Sequence, residues 1–240
     1  MDTDTASPTG PGTDLAAVAG LLASPTRAVF CTALLDGRAW TPGELARQAG
    51  VAASTATEHL NLLVAGGLLA EVRQGRHRYV RLAGPHVAQA VEHLVALGPG
   101  RAAPVRSLSA DGRRRALAHA RTCYDHLAGT VGVAVTDAMA SRGLLDWTAG
   151  LRLTAAGAVW LEGLGIVVPD GSRRPAVLPC LDWTERRPHL AGAVGAAFCR
   201  HALDAAWLTR VGSTRAVAVT AAGRDALHVH LGLAPELLRP

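Results

Sequence analysis

The hydrophobic positions of the chain recur mostly at helical spacing, and short glycine-containing turns separate the helical stretches. Apolar residues three and four apart predict helix between residues 14 and 35, with an interruption at Pro25. Further helices are predicted over 53–65 and 86–97, and glycine follows each of them. The pattern therefore predicts a mainly α fold in which small β-hairpins connect helices.

A helix start is written into the segment Thr41-Pro42-Gly43-Glu44. Thr41 can cap the helix, proline is tolerated at the first helical position, and Glu44 completes a capping box. We expect this helix to end at Gly50.

A basic segment from Leu68 to Ala83 comes after the helix predicted over 53–65. Its β-type residues flank a Gln74-Gly75 turn, which predicts a two-stranded hairpin. Its basic residues are Arg73, Arg76, His77, Arg78 and Arg81. No acidic residue lies between Val72 and Ala83, so this ribbon suits contact with phosphates.

The C-terminal half alternates long helical stretches with short β-type segments. The predicted elements are a long helix over 111–142, a hairpin over 147–153, a helix over 154–165, a loop over 167–180, a long helix over 188–204, a hairpin over 207–220 and a helix over 221–231. We therefore expect helix and hairpin to alternate through this half.

An internal repeat runs through this half. DHLAGTVGVAV at 125–135 and PHLAGAVGAAF at 188–198 share H-L-A-G-x-V-G-x-A, and the predicted elements after them follow in the same order. We interpret this as a duplicated helix–hairpin–helix unit, with repeats over about 123–165 and 186–231. Glycines three apart in both segments are expected to let the two long helices approach closely.

Composition narrows the class of protein. The chain has 240 residues, of which 49% are hydrophobic, so global disorder is excluded and two small domains can each bury a core. The net charge is +5 and all 24 basic residues are arginine, which permits nucleic-acid binding without proving it. Neither a signal peptide nor an uninterrupted apolar stretch of membrane-spanning length is present, so we expect a cytoplasmic protein without a membrane partner.

The order helix, helix, glycine turn, helix and basic hairpin is the layout of a winged helix-turn-helix. The helix that begins near Ser54 and Thr55 presents small hydroxyl side chains, and the major groove accepts one helix. The hairpin then lies against the backbone or enters the minor groove. The predicted organisation is a disordered tail over 1–13, a DNA-binding domain over 14–97, a linker over 98–110 and a sensor or dimerisation domain over 111–234.

Three segments resemble the ArsR-type family of bacterial repressors: LLASPTRAVFCTALL (21–35), TPGELARQAGVAASTATEHLNLLVAGGLL (41–69) and EVRQGRHRYVRL (71–82). The resemblance implies a homodimer that reads a roughly palindromic operator in double-stranded DNA and is released by an inducer. It also implies a recognition helix and a wing. The residues expected to contact DNA are Ala53, Ser54, Thr55, Thr57, Glu58, His59, Asn61, Arg73, Arg76, His77 and Arg78.

The chain departs from the family pattern at several positions. Ala52 stands where a polar cap is usual, and Glu44-Leu45-Ala46-Arg47 replaces a thiolate metal motif. His86, Glu92 and His93 match a second family metal site only in part, because they cover one side of an ion. We therefore predict no metal site on these helices.

Two pairs of cysteine and histidine are the candidates for effector sensing. Cys123 and His126 precede the first repeated helix, and Cys180 and His189 precede the second. Brought together about a pseudo-twofold axis, they would make a Cys2His2 set or a redox pair; buried structural thiols are the alternative. An organic ligand between the repeats is a further possibility, and the effector and any cofactor stay open.

The motifs of common enzymes are absent from the sequence, including the P-loop, GxSxG and HExxH. We therefore predict a sequence-specific, DNA-binding transcriptional regulator that acts as a repressor and is not an enzyme. A non-specific architectural DNA-binding protein and an enzyme with a regulatory helix-turn-helix are the alternatives. Cys31 and Cys199 are expected to be packing residues.

Overall fold

The computed structural model describes residues 11–75, 77–99, 108–168 and 174–239. The chain divides into an N-terminal unit that ends at Val87 and a C-terminal unit that begins at Ala88. Within the described residues, every sheet is a two-stranded antiparallel hairpin. The predicted class, mainly α with small hairpins, is confirmed.

The N-terminal unit is a helical cluster followed by one hairpin. Its elements are α1 (Pro11–Leu22), α2 (Pro25–Ala33), a 3-10 turn (Leu34–Asp36), α3 (Pro42–Ala49), α4 (Ala53–Ala65), β1 (Leu69–Gln74) and β2 (His77–Leu82). Its core is made of apolar side chains with no solvent exposure: Phe30, Cys31, Leu34, Leu45, Ala56, Leu60, Leu63 and Val80. The predicted tail over 1–13 lies outside the described residues up to residue 10, and α1 already begins at Pro11.

The start of α3 forms as its sequence predicts. The Glu44 N–H donates to Thr41 Oγ1 at 3.3 Å, and the Thr41 N–H donates to Glu44 Oε2 at 2.8 Å. These two bonds are the reciprocal capping box, and Gly50 ends the helix in the left-handed conformation. Two backbone hydrogen bonds between Trp40 and Val80, of 2.9 and 2.8 Å, fasten the hairpin beside this helix.

Helix α5 (Pro85–Leu97) contains the division between the units. The predicted boundary was the linker over 98–110. The observed boundary is earlier because α5 from Ala88 onward packs within the C-terminal unit, where Glu92 is 1% exposed. Residues 100–107 of that linker lie outside the described residues, and the next helix already begins at Leu108.

The C-terminal unit repeats one order of elements. After α6 (Leu108–His119) come β3 (Arg121–Cys123), β4 (His126–Ala128), α7 (Gly129–Ser141), β5 (Leu145–Asp146), β6 (Arg152–Leu153) and α8 (Ala155–Gly163), and then β7 (Leu178–Leu181), β8 (Pro188–Ala191), α9 (Gly192–Asp204), β9 (Leu208–Arg210), β10 (Val217–Val219) and α10 (Ala221–Leu231). The order hairpin, helix, hairpin, helix therefore occurs twice.

The prediction of one long helix over 111–142 is wrong. The β3–β4 hairpin divides it, because Tyr124 adopts a left-handed φ of 59° in a tight turn that a helix cannot contain. Gly129 then starts α7 with a φ of 81°, and a Cβ there would lie 2.5 Å from the Ala118 carbonyl oxygen. Local helical spacing gives no warning of a hairpin this short.

The second repeat shows the same kind of error. The helix predicted over 188–204 begins at Gly192, because residues 188–191 form strand β8. Its partner β7 occupies the end of the segment predicted as a loop over 167–180. Residues 169–173 of that segment lie outside the described residues.

The repeated glycines make room for strands. A Cβ on Gly132 would lie 2.5 Å from the Leu127 carbonyl oxygen, and a Cβ on Gly195 would lie 2.5 Å from the Leu190 carbonyl oxygen. The expected close approach of the two long helices is therefore an approach of each helix to the strand that precedes it.

The length and composition of the helices decide whether any of them could span a membrane. Among the described residues, no single helix is long and apolar enough to cross a bilayer. One pair of segments, Asp14–Leu22 and Pro25–Asp36, meets the length and composition requirement together but is bent by 87° at the break.

Candidate functional site

The first candidate site is the outer face of α4. Ala53, Ser54 and Glu58 are exposed, whereas Ala56 and Leu60 are fully buried on the opposite face. The side chain of Ala52 gives no cap, so the first-turn N–H groups of α4 are not satisfied by a side chain there. Such N–H groups are suited to phosphate oxygens.

The remaining predicted positions of α4 are more constrained. The Thr57 hydroxyl donates to the Ala53 carbonyl at 2.9 Å, and His59 is half-buried with its Nδ1 atom 3.4 Å from Arg27 Nη1. Thr55 is also half-buried. The exposed hydroxyl of Ser54 is therefore the best placed of the three hydroxyls to reach a ligand.

An interaction that the sequence did not predict joins the hairpin to α4. Arg78 Nη2 donates to Asn61 Oδ1 at 2.9 Å, and the same guanidinium forms an ion pair with Glu71. Glu71 and Arg78 lie on one face of the hairpin because Glu71 pairs with Val80 and Arg73 pairs with Arg78. Arg78 thus positions the hairpin against the exposed helix.

The other basic residues of the hairpin are free to face outward. The side chain of Arg73 is 78% exposed, and His77 and Arg81 are exposed on the opposite face from Arg73. Arg76 lies outside the described residues. The hairpin therefore offers cationic groups on both faces.

The second candidate site is buried in the C-terminal unit. Cys123 pairs with His126 across the hairpin β3–β4, and Cys180 pairs with His189 across the hairpin β7–β8. Cross-strand partners share a face, so each hairpin presents one thiol and one imidazole together. All four side chains are buried, and one ligand atom from each lies within 4.8 Å of the others.

The atoms at the centre of this cluster are close. The two sulfurs are 3.9 Å apart, and His126 Nε2 is 3.1 Å from His189 Nε2. The outer nitrogen of each ring faces a carboxylate: His189 Nδ1 lies 3.3 Å from Asp182 Oδ2, and His126 Nδ1 lies 3.4 Å from Asp125 Oδ1. Both rings therefore turn Nε2 inward.

Charged side chains that the sequence analysis did not single out surround the cluster. Asp182 is fully buried; its Oδ2 lies 3.0 Å from Arg121 Nη2 and accepts from the Gly129 N–H at 2.7 Å. Arg121 is fully buried as well. Burial alone would raise the pKa of the Asp182 carboxyl, but His189, Arg121 and the Gly129 N–H outweigh it and hold this pKa far below its usual range.

Glu92 connects α5 to the cluster. The Cys123 thiol donates to its Oε2 atom at 3.1 Å, and Arg215 and Trp183 donate to its Oε1 atom at 2.7 and 3.0 Å. Burial would raise the pKa of Glu92, but Arg215 and Arg121 outweigh it and hold the pKa below its usual value. Glu92 is committed to these partners, and the next residue of α5, His93, has its Nε2 atom 3.5 Å from Cys180 Sγ.

The two central sulfurs lie within hydrogen-bonding distance of each other. The pKa of Cys123 is raised, first by this contact with Cys180 and then by burial, whereas the same contact lowers the pKa of Cys180. Cys31 and Cys199 differ, because burial raises the pKa of each to about 11 without a thiol partner. They behave as the packing residues expected.

Comparison with known proteins agrees with the N-terminal architecture. A family described as a helix-turn-helix domain matches residues 22–72. An uncharacterized HTH-type transcriptional regulator, YdfF of Bacillus subtilis, is 38% identical over 223 residues, which are 92% of this chain and 98% of that protein.

Further similarity covers a shorter stretch of the chain. The HTH-type transcriptional regulator CmtR of Mycobacterium tuberculosis is 40% identical over 81 residues, which are 34% of this chain and 68% of CmtR. The solved structure of this cadmium metal-sensor has 33% identity and a TM-score of 0.31, covering 38% of this chain and 93% of its own.

The near full-length relative and the helix-turn-helix match agree with the sequence resemblance. They support a regulator and not an enzyme. The chain belongs to the ArsR-type winged helix-turn-helix transcriptional regulators, which bind DNA.

Proposed function

We propose that this regulator is a sequence-specific repressor that binds its operator as a homodimer and leaves it when an effector is sensed in the C-terminal unit. The observation that carries the DNA-reading part is the exposed start of α4 beside the basic hairpin. Arg78 fixes these two elements together through Asn61. A helix and a cationic ribbon in fixed register suit a groove and its flanking phosphates.

The two elements divide the work of recognition. Ser54 and Glu58 are exposed on α4 and can meet base edges, whereas Arg73, His77 and Arg81 supply charge for the backbone. Base contacts select the operator, and phosphate contacts set affinity for any duplex.

A second copy of the chain is the expected partner. Leu15 and Val18 on α1 are 70% and 41% exposed, so this helix offers apolar side chains for pairing. A dimer would place two α4 helices about 34–36 Å apart, one turn of B-DNA, over a palindrome. A DNA-binding repressor acts beside the chromosome, so the proposal places it in the cytoplasm.

The C-terminal unit is proposed to be a duplicated sensor. The Cys–His cross-strand pair, the glycine of left-handed φ at the start of α7 and of α9, and the threonine caps of α8 and α10 all occur twice. Because each repeat brings half of one cluster, the cluster exists only when both repeats fold together.

DNA selection tests the proposed DNA-binding surface of α4 and the basic hairpin. Wild-type protein selects a sequence from a random duplex pool, and Ser54→Ala changes that preference while keeping affinity for random DNA. Arg73→Ala with Arg81→Ala weakens binding to every duplex and reduces the salt slope by about two units, since each phosphate contact contributes about 0.9.

Arg152→Ala is the matched control, because Arg152 is an exposed arginine of a C-terminal hairpin. Equal affinity for all duplexes would favour a non-specific architectural protein and reject the proposal. A salt slope that falls as much in Arg152→Ala as in the hairpin variant would reject the assignment of the wing.

A further inference from the structure

We propose that Cys123, His126, Cys180 and His189 form one tetrahedral site for a thiophilic divalent cation of the zinc class. As a metal site, this inference stands on the geometry of the C-terminal unit alone. As the effector site of the repressor, it rests on the proposed function.

The spacing of the ligand atoms fits such an ion. With bonds of about 2.3 Å to sulfur and about 2.05 Å to nitrogen, a tetrahedral zinc ion separates two sulfurs by about 3.8 Å and two nitrogens by about 3.3 Å. The observed separations are 3.9 Å for the sulfurs and 3.1 Å for the Nε2 atoms. All four atoms lie within 4.8 Å of one another, so small side-chain shifts suffice to close the shell.

The rings are already oriented for a metal. Asp182 and Asp125 lie beside the Nδ1 atoms of His189 and His126, and a carboxylate behind a histidine fixes the ring so that Nε2 is the ligand. Asp182 is itself held by Arg121 and by the Gly129 N–H. The site therefore has a carboxylate behind each imidazole, an arrangement that metal sites use.

A redox pair explains less of this arrangement. Cys123 is 2% and Cys180 is 4% exposed, so an oxidant in solution does not reach the sulfurs readily. A disulfide also gives no role to two imidazoles whose inner nitrogens face each other. Among the described residues, the packing thiols Cys31 and Cys199 belong to no comparable group of cysteine and histidine side chains.

Metal binding changes the hydrogen bonding next to α5. The divalent ion replaces the thiol protons, which pass to solvent, and two thiolates with two neutral imidazoles then balance its charge of two. Cys123 can no longer donate to Glu92 once its proton is gone. Glu92 stands on α5, the helix that begins shortly after β2. A change in metal occupancy therefore alters a hydrogen bond of the element that follows the hairpin in the chain.

Cobalt spectroscopy tests the site directly. Reduced, chelator-treated full-length protein is titrated with Co²⁺, and we expect one ion per chain with the ligand-field bands of a tetrahedral complex and thiolate-to-cobalt charge-transfer absorption. Zn²⁺ displaces the cobalt. Cys123→Ser and Cys180→Ser weaken Co²⁺ binding at least about 100-fold, more than loss of an outer-shell partner does.

Cys31→Ser and Cys199→Ser are the matched controls, since these thiols are buried outside the cluster; they keep the full spectrum. Circular dichroism verifies that each variant is folded. Wild-type protein without thiolate-to-cobalt absorption, or a spectrum unchanged in both cluster variants, overturns the metal site whatever the DNA assays show. If the spectrum appears but Zn²⁺ leaves DNA affinity unchanged, the metal site holds and its effector role fails.

Discussion

Two arginines show how differently the two units use one side-chain type. Arg73 in the hairpin is 78% exposed, and its Nη2 atom lies 3.9 Å from Glu71 Oε2. Arg121 in β3 has no exposure and lies among Asp182, Glu92 and the ring of Trp183. The first is available to a ligand, whereas the second holds buried carboxylates in place.

The contrast separates recognition from architecture. A surface ion pair contributes little to folding, so the N-terminal hairpin can carry charge for DNA without a cost to stability. A buried charge must keep its partners, since removing one leaves the other uncompensated. Substitutions in the hairpin should therefore alter binding, and substitutions around the cluster should alter the fold.

The largest expected effect comes from a substitution that breaks the buried network of charges around Arg121. Arg121→Ala leaves Asp182 and Glu92 without their shared cation and should lower the free energy of unfolding by about 3–5 kcal/mol. Arg73→Ala, its exposed counterpart, should change it by less than about 0.5 kcal/mol. Urea denaturation of both variants in the presence of chelator measures the difference, and similar losses would end the distinction.

A smaller effect is expected at the N-terminal capping box. Thr41→Ala removes the oxygen that accepts from the Glu44 N–H and should cost about 1 kcal/mol. Thr32→Ala is the control, because that exposed hydroxyl bonds back to carbonyls of its own helix and caps no helix end. Thermal unfolding compares the two, and an equal change in both would remove the cap from the account.

The smallest expected effect is the pH dependence of the same cap. The pKa of Glu44 is lowered, chiefly by the hydrogen bond from the Thr41 backbone, so its contribution is full above the unfolded value near 4.5 and is lost as pH falls through the lowered folded pKa. Between about pH 6 and about pH 3, wild type should therefore lose more stability than Glu44→Gln does. Parallel pH profiles would contradict this assignment.

The same contrast explains what the sequence could predict. Thr41, Gly50 and the Gln74-Gly75 segment carry short-range signals, and the elements they predict are present. The β3–β4 hairpin was predicted as helix because its turn depends on a left-handed Tyr124 and on packing, neither of which appears in local periodicity. Contacts between residues that are far apart in the sequence could not be predicted from local patterns.

The candidate cluster illustrates that limit. The repeat in the sequence drew attention to Cys123, His126, Cys180 and His189, which the structure brings together. Glu92 was considered only as part of a family-like metal site, and Arg215 was not connected to it. These two are hydrogen-bonded across 123 positions of the chain, and no pattern of short period can reveal such a pair.

The central claim is that DNA binding at the exposed face of α4 and metal binding at the buried Cys–His cluster are coupled. Fluorescence anisotropy of the selected operator duplex, measured with full-length protein with and without Zn²⁺, tests it most directly. The account predicts that Zn²⁺ weakens operator binding at least about tenfold, a coupling of about 1.4 kcal/mol, and that Cys180→Ser abolishes this response without losing the DNA. Operator affinity that is unchanged by Zn²⁺, or a response that persists undiminished in Cys180→Ser, would contradict it.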